Sequence, residues 1–182
     1  MISQMIGVGK AHAKIILVGE HAVVYNQPAI AIPLTNLTVT TTIQPAFVGQ
    51  TIESNTFHGG LDELGANVEG LRQLILRLIT HFQLQKAPFT IEIDTNIPQE
   101  RGFGASAAFA TSITKAFFDF ANAPLSPEQL KYFTDLEESI SHGSASGLDA
   151  ATVNSTDPIW FVKNDLPTPF KMSLTGTLVV EI

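Results

Sequence analysis

A glycine-bearing loop between a strand pattern and a helix pattern is the feature that most constrains this chain. Residues 89–94 alternate apolar and polar side chains, which predicts a strand with one solvated face. An apolar helical repeat runs over residues 109–120, and Gly102, Gly104 and Ser106 lie between the two patterns. Such a loop can turn several backbone N–H groups toward one point, and the following helix adds about half a positive charge at its N-terminus. The pattern predicts an anion cradle, whose usual ligand is phosphate.

Two named nucleotide motifs fit this loop poorly. It lacks the Gly-Lys-Ser/Thr ending of a Walker A loop. Gly102-x-Gly104-x-x-Ala107 matches the relaxed dinucleotide pattern, but that fingerprint follows a strand of a buried parallel sheet. Glu92 and Asp94 instead indicate a strand that is solvated on one face. From the loop alone, phosphate binding and a plain glycine turn that begins a helix both stay open.

Composition narrows the class of protein. The 182 residues suit one large domain or one and a half small ones, and 45% apolar residues are enough for a sizeable core. A net charge of −7 without a Lys/Arg run argues against nucleic-acid and anionic-membrane partners. The absence of cysteine excludes disulfides and thiolate metal sites. The sequence shows neither a secretory h-region nor an apolar run of about 18 residues, so we expect a soluble cytoplasmic protein.

The order of strand and helix patterns predicts an α+β fold. Strands are predicted at residues 14–18 (a central strand), 29–33, 37–43, 89–94 and 178–182. Helices are predicted at residues 68–82, 106–122 and 126–142, with a short one from residue 150. Residues 51–65 are polar and bear glycines, which favours a surface loop or a hairpin. Ser126 and Gln129 have the spacing of a capping box.

A second candidate segment begins at Lys14, which opens an apolar run that ends at Gly19. A lysine on a buried strand can act as a compact point charge toward phosphate oxygens. Glu20 and His21 follow at the far end of the strand, where loops tend to hold functional groups. An edge lysine with an ordinary exposed turn is the competing interpretation.

A third segment reads His142-Gly-Ser-Ala-Ser146-Gly-Leu-Asp149. Asp149 is either a general base or an N-cap of the short helix. The apolar face of the preceding helix is formed by Leu130, Phe133, Leu136 and Ile140. Glu138 falls opposite that face, so its spacing favours solvated surface over a polar site. It shares a face with His142, but this pair without thiols is weak support for zinc.

Together the three segments resemble the signatures of the GHMP kinases. Lys14-x-x-Leu-x-Gly-Glu-His-Ala-Val-Val-Tyr25 is similar to the first signature, and Pro98-x-x-x-Gly-Phe-Gly-Ala-Ser106 to the second, the ATP phosphate loop. The segment from His142 to Asp149 resembles the one that carries the catalytic aspartate in the mevalonate kinases of this family. The resemblance implies a mixed or antiparallel sheet with helices packed on one face, as in domain 2 of ribosomal protein S5.

The resemblance also implies a site for ATP and Mg²⁺, with mevalonate as the small-molecule substrate. The residues implied at the ATP phosphates are Pro98, Arg101, Gly102, Phe103, Gly104, Ala105, Ser106 and Ala107. Those implied at the metal are Ser106 and Glu138, and those at the substrate end are Glu20, His21 and Ser146. Asp149 is implied to orient or deprotonate the C5 hydroxyl, with Lys14 as its catalytic neighbour. Glu137 lies about 100° around the helix from Glu138 and is expected to tolerate substitution.

Two departures from the family pattern bear on activity. The loop has Ala105 before Ser106 where the family usually has two serines, and the third, C-terminal glycine-rich signature is absent from this sequence. We therefore expect residues 1–182 to form a GHMP kinase N-terminal domain without its C-terminal partner, with poor activity. Its uncovered face is expected to drive homo-oligomer formation. The alternatives are a non-catalytic nucleotide-binding domain, another GHMP kinase such as phosphomevalonate kinase or galactokinase, and a dinucleotide-binding module.

Overall fold

Seven strands and four α-helices make up the part of the chain that this computed structural model describes, residues 6–98, 102–143 and 146–173. The strands are β1 (Gly7–Val18), β2 (Ala29–Pro45), β3 (Gln50–Ser54), β4 (His58–Gly60), β5 (Phe89–Thr95), β6 (Ile159–Phe161) and β7 (Thr168–Pro169). The helices are α1 (Glu69–His81), α2 (Ala105–Phe120), α3 (Pro127–His142) and α4 (Leu148–Thr152). The α+β prediction is confirmed.

The strands form one mixed, mostly antiparallel sheet in the order β4-β3-β5-β2-β6-β7, with β1 paired to β2. β2 is antiparallel to β1, β5 and β6, and only the pairing of β3 with β5 is parallel among these described strands. β3 and β4 form a hairpin, which is one of the two structures predicted for residues 51–65. The strand predicted at residues 178–182 lies outside the described residues.

The long strand β2 joins two runs that the sequence predicts as separate strands, residues 29–33 and 37–43. Its length lets it pair with β1 along one edge and with both β5 and β6 along the other. The prediction that residues 14–18 form a central strand is wrong. β1 begins already at Gly7 and, within the described part of the chain, pairs with β2 alone.

Helix α2 lies across the inner face of the sheet and contributes more buried apolar side chains to the core than any other described element. A Cβ atom on Gly9 of β1 would lie 1.9 Å from the carbonyl oxygen of Ser112, so the strand and the helix approach backbone to backbone. Phe117 of α2 packs edge-on against Phe89 of β5, with ring centroids 5.8 Å apart. Glu92 is exposed on the outer face of β5, as the alternating pattern predicts.

Helix α3 begins with the predicted capping box, in which Ser126 and Gln129 exchange backbone-to-side-chain hydrogen bonds. The apolar face predicted for this helix is only partly correct. Phe133 is buried, but Ile140 is 40% exposed, and Glu137 takes a buried position. The burial of a carboxylate follows from partners on other elements, which spacing along one helix does not show. Within the described residues, the structure contains no helix long and apolar enough to cross a membrane.

Candidate active site

A cavity of about 570 Å³ opens where the N-terminal ends of α1 and α2 meet the middle of β1. The end of α3 and the start of α4 complete its wall. Residues from all three candidate segments line it, including Lys14, Glu20 and Asp149, together with the loop from Gly102 to Ser106. The fold thus brings together segments that lie far apart in the sequence.

The loop that is predicted to bind phosphate leads into the N-terminus of α2, which has no side-chain cap in the described part of the chain. Gly102 and Gly104 have φ of +73° and +68°, in the left-handed region that favours glycine. Gly104 is the N-cap of α2, and no side chain among the described residues hydrogen-bonds to that end. The N–H groups of the first turn therefore remain available to a ligand, at the positive end of the helix dipole.

Lys14 packs directly against this loop. Its side chain is only 4% exposed, its Nζ atom donates to the carbonyl oxygen of Gly102 at 3.2 Å, and its backbone N–H donates to Phe103 at 2.9 Å. A Cβ atom on Gly104 would lie 2.6 Å from Cε of Lys14, so the loop rests on the lysine stem. The loop geometry and the lysine position are therefore coupled.

The ammonium group of Lys14 forms an ion pair with Asp149, with 2.9 Å between Nζ and Oδ1. Asp149 lies in the first turn of α4, whose N-cap is Gly147 with φ of +78°. The hydroxyl oxygen of Ser146 accepts from the N–H of Leu148 at 3.2 Å and fixes this turn. The predicted approach of the Lys14 and Asp149 side chains is confirmed, and their chemical roles stay predictions.

Glu138 is part of a polar site and not plain solvated surface. Its Oε1 atom accepts from the backbone N–H of Ser146 at 2.9 Å and from its hydroxyl at 3.2 Å. Its Oε2 atom is buried and has no hydrogen-bond partner among the described residues. Burial, and then the negative charge of Asp149, raise the pKa of Glu138 above its ordinary value, against the opposing hydrogen bonds from Ser146. A cation beside Oε2 would relieve both effects.

The hydroxyl of Ser106 donates to Oε1 of Glu137 at 2.6 Å, and the hydroxyl of Ser141 donates to the same atom at 2.6 Å. Glu137 is 2% exposed. The expectation that this residue tolerates substitution therefore does not fit the structure. Glu137 lies four residues after Phe133, on the buried side of α3, but its partners come from tertiary contacts that this spacing does not reveal.

The remaining predicted site residues differ in whether they line the cavity. Glu20 lines the cavity, whereas His21 is exposed and does not contribute to the wall of the cavity. Pro98 and Ala107 flank the loop on its two sides without lining the cavity, and Arg101 lies outside the described residues. Ser146 contributes through its hydrogen bonds to Glu138.

The donor set predicted for the metal, Ser106 and Glu138, fits Mg²⁺ better than a transition metal. Within the part of the chain that the structure describes, no three His, Cys, Asp or Glu side chains cluster as a metal site. Mg²⁺ needs fewer protein ligands, because it keeps several waters and is commonly held by one or two protein oxygens plus substrate phosphates. The hydroxyl of Ser106 is such an oxygen on the cavity wall, whereas Glu138 does not line the cavity and offers its unpartnered Oε2 atom from a buried position.

A second, mainly apolar cavity of about 300 Å³ adjoins the first. Asn67, just before α1, lines both cavities. The apolar wall of the second cavity includes Phe57, Leu71, Phe109 and Ile113. A ligand with a charged end and a flat apolar end could therefore span the two cavities.

Comparison with known proteins identifies the domain. Residues 71–155 match the family described as GHMP kinases N terminal domain. The chain is 28% identical over 179 residues to a mevalonate kinase of Aeropyrum pernix, covering 93% of this chain and 55% of that protein. It is 31% identical over 147 residues to a mevalonate kinase of Methanothermobacter thermautotrophicus, covering 78% of this chain and 45% of that protein.

Solved structures agree with this assignment. The crystal structure of mevalonate kinase from methicillin-resistant Staphylococcus aureus superposes on the chain with a TM-score of 0.70 and 32% identity. The match covers 92% of this chain and 56% of that one. The chain thus spans about half the length of the relatives that it matches.

Proposed function

We propose, from the GHMP kinase N-terminal domain that this chain carries, that it binds Mg·ATP and supplies the phosphoryl-transfer site of a mevalonate kinase. The reaction would transfer the γ-phosphoryl group of ATP to the C5 hydroxyl of mevalonate, a step of isoprenoid biosynthesis in the cytoplasm. The observation that carries the proposal is the ion pair between buried Lys14 and half-buried Asp149, which lies in one cavity with the open N-terminus of α2.

The three parts of this arrangement suit phosphoryl transfer, which depends mainly on alignment and on neutralising charge. The N–H groups of the first turn of α2 would bind phosphate oxygens, because they lack partners among the described residues and point along the helix dipole. Lys14 would place its positive charge beside the phosphoryl group that is transferred. Gly104 keeps the loop close enough to the lysine for both to reach the same phosphate.

Asp149 would accept a hydrogen bond from the substrate hydroxyl and take its proton as the oxygen attacks. Its side chain is 31% exposed and lines the cavity, so a substrate can reach it, and the ion pair with Lys14 fixes one of its two oxygens. A base positioned in this way contributes about 10²–10⁴-fold to the rate.

Ser106 and Glu138 are the residues that would hold Mg²⁺. When bound, the ion would neutralise charge on the phosphate oxygens. Glu138 offers an Oε2 atom without a partner among the described residues, and Ser106 offers a hydroxyl oxygen on the cavity wall. The raised pKa of Glu138 indicates a carboxyl group whose charge is poorly compensated until a cation is present.

The adenine base is proposed to occupy the second cavity, because Asn67 borders both cavities and the walls beyond it are apolar. A larger side chain there, as in Leu71→Trp, should weaken ATP binding and leave the binding of inorganic tripolyphosphate unchanged. Equal effects on both ligands would place the base elsewhere.

Calorimetric titration of the purified chain tests the proposal directly. We expect saturable binding of ATP with Mg²⁺ and none of NAD⁺ or NADP⁺ at the same concentration. ADP release should then depend on mevalonate, and not on galactose or phosphomevalonate. Binding without release for any acceptor would favour a non-catalytic nucleotide-binding domain. Binding of NAD⁺ in preference to ATP would refute the proposal.

A further inference from the structure

The buried carboxylate of Glu137 lies directly behind the phosphate loop. Its Oε1 atom accepts hydrogen bonds from Ser106 and Ser141, both at 2.6 Å, and the residue is 2% exposed. We propose that Glu137 is a positioning residue that orients the Ser106 hydroxyl for metal binding. This inference rests on the proposed Mg·ATP function, since it concerns one of the two residues assigned to the metal.

The hydroxyl group of Ser106 has one proton to donate and two lone pairs to offer. Ser106 lines the cavity, whereas Glu137 does not. When the proton of Ser106 points to Glu137, away from the cavity, the lone pairs are left for a cation on the cavity side. Without this acceptor, the proton could rotate toward the cavity and oppose the approach of a cation.

Hydroxyl groups and helix ends surround the side chain of Glu137. Ser106 is the second residue of α2, so Glu137 lies beside the positive end of that helix. Gly70, at the start of α1, packs against the same group: a Cβ atom there would lie 2.8 Å from Oε1 of Glu137 and 2.2 Å from the Ser141 hydroxyl. Three helices therefore meet at this one acceptor atom.

The same contacts would also arise if Glu137 only stabilised the packing of the helices. The test must therefore separate an effect on the orientation of the Ser106 hydroxyl from an effect on protein stability. Glu137→Met keeps much of the side-chain length but removes the acceptor. Glu137→Gln keeps an acceptor oxygen without the charge. Ser141→Ala removes the other hydrogen bond to Glu137 and leaves Ser106 intact, which makes it the matched control.

The readout is the ratio of ATP affinity with Mg²⁺ to ATP affinity in EDTA, measured by calorimetry, with Tm recorded for each variant. We expect Glu137→Met to reduce this ratio about tenfold, at the low end of losses seen when the partner of a metal ligand is removed. Glu137→Gln should reduce it about threefold, because a neutral hydrogen bond is roughly half as strong as a charge-assisted one. Ser141→Ala should lower Tm and leave the ratio unchanged.

A double-mutant cycle provides the decisive comparison. If Glu137 acts through Ser106, adding Glu137→Gln to Ser106→Ala should not reduce the ratio further. Additive losses, or equal losses of affinity with Mg²⁺ and in EDTA, would overturn the inference, and the Gln variant suffices for this test if the Met variant does not fold. A wild-type ratio near one, or a ratio unaffected by Ser106→Ala, would instead overturn the proposed metal role, and the inference with it.

Discussion

Nζ of Lys14 lies 2.9 Å from Oδ1 of Asp149, although β1 and α4 stand near opposite ends of the described chain. The same ammonium group also donates to the carbonyl oxygen of Gly102 in the phosphate loop. One buried cation thus links the proposed base to the proposed phosphate cradle. An ion pair whose aspartate is 31% exposed is weak evidence for stability, so its geometry is the more informative property.

Asp149→Asn should lower turnover with mevalonate at least ~10²-fold, because the amide can orient the C5 hydroxyl but cannot take its proton. ATP affinity should change little, because Lys14 keeps its hydrogen bond to the carbonyl oxygen of Gly102 in the loop. Coupled ADP release gives turnover, and calorimetry gives the affinity. Asp157→Asn changes an exposed aspartate and should alter neither. Near-normal turnover in the Asp149 variant would reject its role as base.

Gly104→Ala should weaken ATP binding strongly, since the added Cβ meets the Lys14 stem at 2.6 Å and displaces the loop or the lysine. Gly49 is the matched control: it also has positive φ, +73°, but a Cβ there meets nothing within 4 Å. Both substitutions carry the left-handed penalty of about 1–2 kcal/mol. Only the Gly104 change should reduce ATP affinity in calorimetry. Equal affinities in the two variants would separate the loop from nucleotide binding.

Much of the site could be predicted from the sequence because its motifs are local. Gly102 and Gly104 mark the turn by their need for positive φ, and the capping box at Ser126 fixes the start of α3. Glu137 could not be found in this way. Its burial depends on hydroxyl groups from α2 and α3 and on the close approach of Gly70 from α1, which are tertiary contacts.

The strand errors have a similar origin. Gly7 and Gly9 break the apolar alternation at the start of β1, so the pattern predicts a short strand where a long one exists. The glycines are present because α2 packs against them, a contact that the strand sequence alone does not reveal. Short apolar runs likewise cannot tell whether a strand has one neighbour or two.

Glu138→Gln should lower the stimulation of ATP binding by Mg²⁺ far more than it lowers mevalonate affinity. The reason is that the variant replaces the unpartnered carboxylate oxygen with a group that offers the cation no charge. Titration of ATP at several Mg²⁺ concentrations measures the effect. Glu128→Gln, at an exposed position on the same helix, is the control and should leave it unchanged. Equal losses for both ligands would argue against a metal role.

The same Glu138→Gln variant should be more stable than the wild type at neutral pH without Mg²⁺. The pKa of Glu138 is raised in the folded protein, so the folded state binds more protons than the unfolded state between the ordinary value, about 4.3, and the raised one. Stability of the wild type therefore falls as pH rises through this window. The difference in Tm should be present at pH 7 and vanish below about pH 4.

The pKa of Glu128 is shifted in the opposite direction to that of Glu138. Hydrogen bonds to its own backbone N–H and to Ser126 lower its pKa, so its ionised form is favoured in the folded state. Glu128→Gln should therefore reduce stability at neutral pH, an effect that also disappears in acid. Calorimetric scans of both variants between pH 3 and pH 7 test the two signs together (the range spans the ordinary carboxyl pKa of about 4.3). A lower Tm for Glu138→Gln at pH 7 would contradict the assigned environment.

The relatives contain a further half that this chain does not match. The chain spans about half their length, and we propose that the remaining half of a GHMP kinase closes the cavity at Lys14 and Asp149. A polypeptide of residues 1–182 should then bind ATP weakly and turn over slowly, because water screens the charges and the reactants are not held in line.

Exposed apolar side chains at one end of the sheet give this prediction a second readout. Val18 of β1 and Trp160 of β6 both lie opposite Ile30 of β2, and they are 57% and 46% exposed. We expect this patch to drive self-association of the 182-residue polypeptide, detectable by sedimentation. Fusion to the C-terminal half of the Staphylococcus aureus mevalonate kinase should raise turnover more than tenfold, which corresponds to about 1.4 kcal/mol in the barrier. Turnover of the unfused polypeptide within about tenfold of the fusion would show that the site needs no second half.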